Sequence, residues 1–255
     1  MAAKKKAVVA PIKVERARIT FVLKGTTHFI QNRLPNKVIH ELLLPAAKKT
    51  AGDKRNILKH DPYVEFASAV HRSLDPKSPT LIVHPAMAFK SAMRNVAVDI
   101  PGTTSKAQLG RMTFIEEDVI PIYGIPELRM DPVRNRDINR TPDIRTRVCI
   151  REWVAIVTLT YTKPIINQGM IIDLMGHAGW LQGVGDFRPE KGAGNYGTWI
   201  LSDLDDPDVK HIMKTGNRKA QEKALLSPGL YDADTEELLS WFESEVGRRG
   251  LRRVD

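Results

Sequence analysis

The residues best suited to chemistry lie between Gly176 and Gly197, in the stretch GHAGWLQGVGDFRPEKGAGNYG. Two Gly-x-Gly pairs, Gly183/Gly185 and Gly192/Gly194, flank Arg188 and Lys191, and Asn195 and Tyr196 follow at once. Glycine has no Cβ to hold a ligand away from the backbone, and successive N–H groups in such turns form anion-binding concavities. Cations and an aromatic ring among the glycines suit a chain of phosphates carrying bases better than a small apolar ligand. The expected chemistry is binding: backbone amides, Arg188 and Lys191 on phosphates, with Tyr196 stacked on a base. A plain surface loop joining a helix to a strand would show a similar glycine content. Trp180 and Phe187, isolated aromatics beside a helix end, are expected to pack in the core or at the base of the loop.

Further basic groups lie elsewhere. Residues 129–151, RMDPVRNRDINRTPDIRTRVCIR, hold seven arginines against three aspartates. Arg134, Arg136 and Arg140 sit in a polar stretch that cannot form a core, while Arg145 and Arg147 alternate onto one strand face. Arginine pairs with phosphate bidentately and stacks on bases, so this segment is expected to lie as a finger over a nucleic-acid strand. The alternative is a solvated loop. Lys90 and Arg94, four residues apart, share one face of a helix opened by Pro85, where a cation adds to the positive helix N-terminus. An ordinary exposed helix face is the competing reading. The Lys4–Lys6 run reads as an arm that adds sequence-independent affinity.

Catalytic constellations are missing from the sequence. The histidines, at 28, 40, 60, 71, 84, 177 and 211, make no HExxH or comparable metal spacing, and no Asp/Glu cluster accompanies them. The glycine loop lacks the Gly-Lys-Ser/Thr ending of an NTPase phosphate loop. No catalytic residue, metal or cofactor is therefore expected. His28, after a Gly-Thr-Thr turn, could serve as a general base in RNA cleavage, although a lone histidine is more often structural. Cys149 stands alone, which excludes a disulfide framework and a Cys-based zinc site and fits a reducing cytoplasm.

With 255 residues, 42% of them hydrophobic, the chain can bury a core as one large domain or as a domain plus a tail. A net charge of +9 favours an acidic partner, nucleic acid before anionic membrane. The charge is uneven: residues 1–60 carry 14 Lys/Arg against 3 Asp/Glu, whereas residues 203–245 carry 11 acids against 5 Lys/Arg. The apolar stretch Ala7–Ala10 is too short for a signal peptide, and no apolar run approaches the roughly 18 residues of a membrane span. The expected location is the cytoplasm, without membrane contact.

Hydrophobic periodicity indicates the elements that must position these residues. ARITFVLK (17–24) alternates and is ended by Gly25, a strand. Residues 35–49 read as a helix disturbed by Pro45, and Asp61-Pro62 opens a short helix through Leu74. Residues 80–83 form a short strand, and Pro85 opens a helix to about Val98. Residues 111–123 suit an extended hairpin, 148–161 is the strongest strand, 167–178 is helical and 196–201 is a strand. Beyond Asp205 the chain turns acidic and helical, with Pro228-Gly229 between two segments. The core order is βαββαβ, that of ferredoxin-like domains such as RNA-recognition modules. The expected fold class is α+β: a flexible basic arm (1–11), then a ferredoxin-like domain (12–204) with inserted helices at 25–84 and an Arg-rich hairpin at 124–147, and last an acidic helical tail (205–255).

Three segments, in order, resemble the RAMP superfamily, whose members include CRISPR backbone subunits and crRNA-processing endoribonucleases. The first is a strand leading into a Gly-Thr-Thr turn, ITFVLKGTTHFI (19–30). The second is HPAMAFKSAMRNVA (84–97), where Pro85, Lys90, Ala92 and Arg94 match the superfamily's helix start and Ala86 replaces its usual glycine. The third, GVGDFRPEKGAGNYG (183–197), is similar to its late G-x-G-[basic]-x-x-G-x-G signature. Over roughly residues 12–202 the chain also resembles phage-encoded proteins sharing the G-[basic/aromatic]-R-P-E-K-G pattern. The resemblance implies a modified ferredoxin-like core that binds single-stranded nucleic acid, often as a repeating protomer along the strand. The tail after Asp205 has no counterpart in that pattern, and the catalytic histidine of the processing enzymes is not matched.

The resulting expectation is a non-enzymatic, largely sequence-independent binder of ssDNA or RNA that self-associates along the strand, in phage recombination or replication or as a CRISPR-like backbone. In TEELLSWFESEV (235–246), Leu238, Leu239 and Phe242 make an apolar stripe. With Trp241 they are expected to meet a neighbouring protomer, packing back on the same domain being the alternative. Two rival functions are a metal-independent endoribonuclease using His28 and a structural assembly protein with an acidic protein partner.

Overall fold

The alternating residues of the first strand sort onto two faces of a sheet, as a period of two requires. In β1 (Glu15–Gly25) Phe21 and Leu23 enter the main core, whereas Val22 enters a second cluster on the opposite face. The structure is a computed structural model, and it describes residues 13–34, 43, 58, 60–134, 140–192 and 194–251.

The chain is α+β, with seven helices among the described residues and a curled, mainly antiparallel sheet. β1 lies in a seven-stranded sheet with β3 (His71–Arg72), β4 (Ile82–Pro85), β5 (Thr113–Ile115), β6 (Val119–Tyr123), β9 (Val154–Lys163) and β10 (Trp199–Ser202). Its order is β10–β1–β9–β6–β4–β3, with β5 also paired to β9. Helices α2 (Ala86–Val96) and α4 (Gln168–Leu181) share the core face of this sheet, with Phe89, Met93, Leu174 and Met175 buried among Leu23, Val157 and Leu159. The Trp199 ring sits 6.0 Å from Phe89, and its indole N–H donates to the Met175 carbonyl at 3.2 Å.

A second sheet has the order β11–β7–β8–β2, from β2 (Phe29–Gln31), β7 (Pro126–Arg134), β8 (Pro142–Ile150) and β11 (Gly229–Leu230). The Arg-rich segment is thus a long hairpin, paired from Pro126↔Ile150 to Arg134↔Pro142. Three connections pass from one sheet to the other around one corner. The expected continuous strand 148–161 is split there, because the exposed pair Arg151-Glu152 interrupts the apolar run and Trp153 turns into the core. The Trp153 indole donates to the Thr27 carbonyl at 2.8 Å. Gly124 crosses beside it at φ 134°, where a Cβ would collide with the Glu152 carbonyl, so only glycine fits.

Other boundaries also differ from the sequence reading. The helix opened by Asp61-Pro62, α1 (Pro62–Ser68), ends before Leu74 because β3 begins at His71. Residues 106–112, whose last two were assigned to an extended hairpin, form α3 (Lys106–Met112), capped by the Ser105 hydroxyl accepting from the Gln108 amide at 3.2 Å. The helix expected over 35–49 lies outside the described residues, Leu43 excepted. Within the expected insertion 25–84, the described residues form α1 and the short strands β2, β3 and β4, which join the two sheets.

The acidic segment after Asp205 is built into this frame. It forms α5 (Pro207–Thr215), α6 (Arg218–Leu226) and α7 (Ala233–Arg249), each opened by a side-chain cap, Asp206, Asn217 and Asp232. Val209 and Ile212 of α5 cover Val22, Tyr123 and Val154 on the back of the large sheet. Lys24 reaches Asp206 at 3.0 Å and Asp208 at 2.5 Å, and the Ser202 hydroxyl together with Lys24 holds the Asp206 carboxyl down at about 2. The first acids of the tail therefore face this chain's own basic strand. From α7, Leu239 is buried and Leu238 and Phe242 pack on the main core, leaving only Trp241 of the four residues expected to meet a neighbour exposed, at 62%. The apolar side of the β7 hairpin, with Leu128 and Met130 buried, needs a cover, and this stripe supplies it.

His60 fastens α1 to the hairpin, bonding Glu65 Oε1 at 2.6 Å and Asp143 Oδ1 at 3.0 Å. The Glu65 bond raises its pKa against the lowering effect of burial. A raised histidine stabilises fully below its unfolded value of about 6.5 and loses that contribution as pH climbs through the folded value. From about pH 6 to about pH 8, the urea midpoint of the native chain should fall further than that of a His60→Gln variant. Parallel midpoints would remove the histidine from the link.

Candidate nucleic-acid interface

Beyond Gln31 the chain leaves the second sheet and runs under α2 and the glycine loop, and a groove of about 600 Å³ opens between them. One wall is Gln31, Asn32 and Arg33, another Ser91, Arg94 and Asn95 of α2, and a third Gln182–Asp186 with Arg188 and Glu190, while His71 and Lys106 also line it. Four cations from four segments, Arg33, Arg94, Lys106 and Arg188, thus converge on one concavity.

Arg94 has no acidic partner among the described residues, and Gly110 of α3 makes room for it, since a Cβ there would lie 3.2 Å from Arg94 Cδ. Arg94 Nε, Asn95 Oδ1 and Gln182 Oε1, all in lining residues, lack hydrogen-bond partners. The floor is rigid and uncharged. The Gln31 amide donates to the Val83 carbonyl at 2.7 Å and to His84 Nδ1 at 3.2 Å, and its oxygen accepts from the His71 amide at 3.1 Å. Burial, helped by His71 and Arg188, pushes His84 down to about 3, so it is a neutral acceptor at physiological pH.

The glycine loop uses most of its amides within the chain. The amides of residues 183, 184, 186, 190, 191, 192, 196 and 197 all donate to carbonyls of this chain, among them Asp186 to Ile30 at 2.9 Å and Gly197 to His28 at 2.8 Å. Gly183, Gly185, Gly192 and Gly197 take positive φ, and a Cβ on Gly194 would collide with the Phe187 carbonyl. The glycines let the loop fold tightly on itself, which makes it a stiff wall. Arg188 donates to Glu190 Oε2 at 2.7 Å and to the Gly185 carbonyl at 2.8 Å, so its charge is partly matched locally. Lys191 and Asn195 are exposed on the loop but do not line the groove.

Tertiary structure lays this wall against the Arg hairpin. Arg147, expected on a nucleic-acid face, has a side chain only 5% exposed and bonds Asp131 at 2.8 Å and Asp186 at 3.2 Å beside the Phe187 ring, 4.6 Å away. It is a bolt between hairpin and loop, because the two carboxylates take its charge. Tyr196 faces Arg129 at 5.1 Å and is half-buried, so its ring is already occupied. Arg134, Arg140 and Arg145 are exposed along the hairpin, and Arg136 lies outside the described residues. Lys90 stands apart from the groove, 5.1 Å over the Phe114 ring that Arg16 also approaches. Trp180, expected to pack inside, is 65% exposed.

The groove therefore gathers Arg94, Arg188, Gly183 and Gly185 from the sequence-level candidates and adds Arg33, Lys106 and His71, which no motif marked. Only the Ser105 cap before Lys106 left a readable trace. Behind the loop lies a second polar cluster, where His28 Nδ1 and the Tyr231 hydroxyl are 2.9 Å apart and Arg151 sits 4.5 Å over the Tyr231 ring. Burial, then the Arg151 charge, lowers the His28 pKa. Burial pushes the Cys149 thiol beside it up to about 12, so the thiol is unreactive. Among the described residues no group of three or more metal-ligating side chains occurs, and no helix is long and apolar enough to cross a membrane.

No protein-family model matches the sequence, and no curated protein does. Among solved structures, the chain is similar to one in the cryo-EM structure of the Type III-B Cmr-beta bound to cognate target RNA, at 10% identity and a TM-score of 0.31. The match covers 72% of this chain and 59% of that one, so this chain spans less than two thirds of its counterpart.

Proposed function

We propose that this chain holds single-stranded nucleic acid, without cutting it, in the groove between α2 and the glycine loop, and leads the strand out along the exposed arginines of the β7–β8 hairpin. The observation that carries the reading is the convergence of Arg33, Arg94, Lys106 and Arg188 on one concavity, with Arg94 unmatched by any carboxylate among the described residues. Phosphate neutralisation supplies affinity without reading sequence, which fits a chain of net charge +9. The reading extends to the architecture: the spatial order β10–β1–β9–β6, with α2 and α4 on one face, supports a ferredoxin-like core of RAMP type. On that basis the chain is a protomer repeated along ssDNA or RNA.

The test is a titration with ssDNA, ssRNA and duplex of equal length at several salt concentrations. Engagement of about three phosphates predicts a slope of log K against log salt near −2 for single strands. Affinity indifferent to salt, or a preference for duplex, would refute the reading. One observation favours a second reading, a metal-independent endoribonuclease: a neutral His28 hydrogen-bonded to Tyr231 could take a proton from a ribose hydroxyl. Binding without cleavage predicts hairpin RNA intact after prolonged incubation. Cleavage abolished by His28→Ala would establish the second reading.

A further inference from the structure

The large sheet has an incomplete edge. β1 pairs with β9 from Glu15 to Lys24 but with β10 only from Val22 to Gly25. β10 stops at Ser202 because Asp203 makes a turn, its carboxylate accepting the Asp205 amide at 2.8 Å and its carbonyl the Asp206 amide at 3.2 Å. Among the described residues, the β10-side edge of residues 15–21 has no strand beside it. Such an edge is a template for another strand. Where β10 would have continued lies a cleft of about 390 Å³, with Ile19, Ile172 and Leu204 as its open apolar side chains. Asp203 and Asp205 stand at one end of this edge, Asp205 also meeting Lys210 at 2.6 Å, and exposed Arg16 and Arg18 stand at the other, Arg18 also meeting Glu116 at 2.9 Å.

We propose that this edge receives residues 4–12 of a second copy of the chain, KKKAVVAPI, as an antiparallel strand. Those residues lie outside the described part of the structure, and their chemistry selects both partner and direction. Running antiparallel, Lys4–Lys6 meet Asp203 and Asp205 while Val8 and Val9 cover the cleft. A parallel strand would set the lysines against Arg16 and Arg18. Pro11, which has no N–H to donate, ends the pairing. The chain's own segment fits badly, because it precedes β1 directly. A tight hairpin pairing Ala10 with Glu15 would set Val9 opposite Arg16 and Lys4–Lys6 opposite Phe21–Ile19, with lysines in the apolar cleft. Because donor segment and acceptor edge differ, the contact is head-to-tail and repeats from copy to copy, as a ring or an open row according to the rotation between copies. It supplies a contact for the repeating assembly proposed above, but it needs no polynucleotide.

The test is therefore sedimentation of the full chain, free of nucleic acid, over a dilution series into the high micromolar range. Association is expected, weakened at least about tenfold by Val8→Asp/Val9→Asp, with unchanged circular dichroism. Lys4→Glu/Lys5→Glu/Lys6→Glu should weaken it too, and mixing that variant with Asp205→Lys should restore association between the two. A native chain that sediments as a monomer throughout overturns the proposal, as does a Val8→Asp/Val9→Asp variant that assembles like the native chain. Failure of strand binding in the groove would leave this result untouched, so the two readings fall separately.

Discussion

Replacing Arg94 and Lys106 together by alanine should weaken binding of a single strand about a hundredfold at low salt, two charge-assisted contacts of roughly 1.5 kcal/mol each. The salt slope should flatten by about 1.4, the counterions of two phosphates. Both cations line the groove and neither has a carboxylate partner among the described residues, so each is available to a phosphate. Lys90→Ala serves as the control. Its ammonium rests over Phe114, away from the groove, and affinity should change less than about threefold. Anisotropy titrations of the three proteins decide the matter. Equal losses for Lys90 and for the Arg94/Lys106 pair would mean that the strand crosses α2 elsewhere, and the groove would lose its role.

The second large effect concerns stability. Gln221, on α6 in the acidic tail, is fully buried. Its oxygen accepts from the amides of Leu81 at 2.9 Å and Ile82 at 2.8 Å. Its nitrogen donates to the carbonyls of Ile122 at 2.8 Å, Gly124 at 3.0 Å and Gly216 at 3.2 Å. One side chain thus ties the tail to β4 and to the corner between the sheets. Gln221→Leu keeps the bulk but strands these backbone groups, at a cost of about 3 kcal/mol. Thr235→Val removes a single bond, to the Met130 amide at 3.2 Å, and should cost about 1 kcal/mol. Denaturant midpoints read both. A Gln221→Leu loss no larger than that of Thr235→Val would show the tail to be a loose cover, and a chain cut before Asp205 could then fold.

What could be read directly from the residues were features governed by near neighbours. The alternation in 17–24 makes β1, Asp61-Pro62 opens α1 and Pro85 starts α2. Hydrogen bonds of the caps span two or three residues, so local chemistry suffices for them. Charge asymmetry was equally plain, and so was the run of arginines that becomes the β7–β8 hairpin.

The site was legible only in part, because its parts meet through contacts distant in sequence. Arg147 and Arg134 look alike as members of one Arg-rich run, yet Arg147 is sealed between Asp131 and Asp186 while Arg134 is exposed. Nothing local separates them, since Asp186 arrives from a loop 39 residues away. The glycines of 183–197 promised open amides, but the folded loop bonds those of Gly183, Gly192 and Gly197 to carbonyls of this chain, and carbonyls crowd out a Cβ at Gly185, Gly194 and Gly197. The sequence alone determined a basic α+β chain with a glycine-rich turn, an arginine hairpin and a helical acidic end, since composition, periodicity and capping act over a few residues. Tertiary structure decided which cations share a groove, which are bolted down and where the tail packs, because those outcomes depend on how the sheets turn their corner and on which distant carboxylate reaches each cation first.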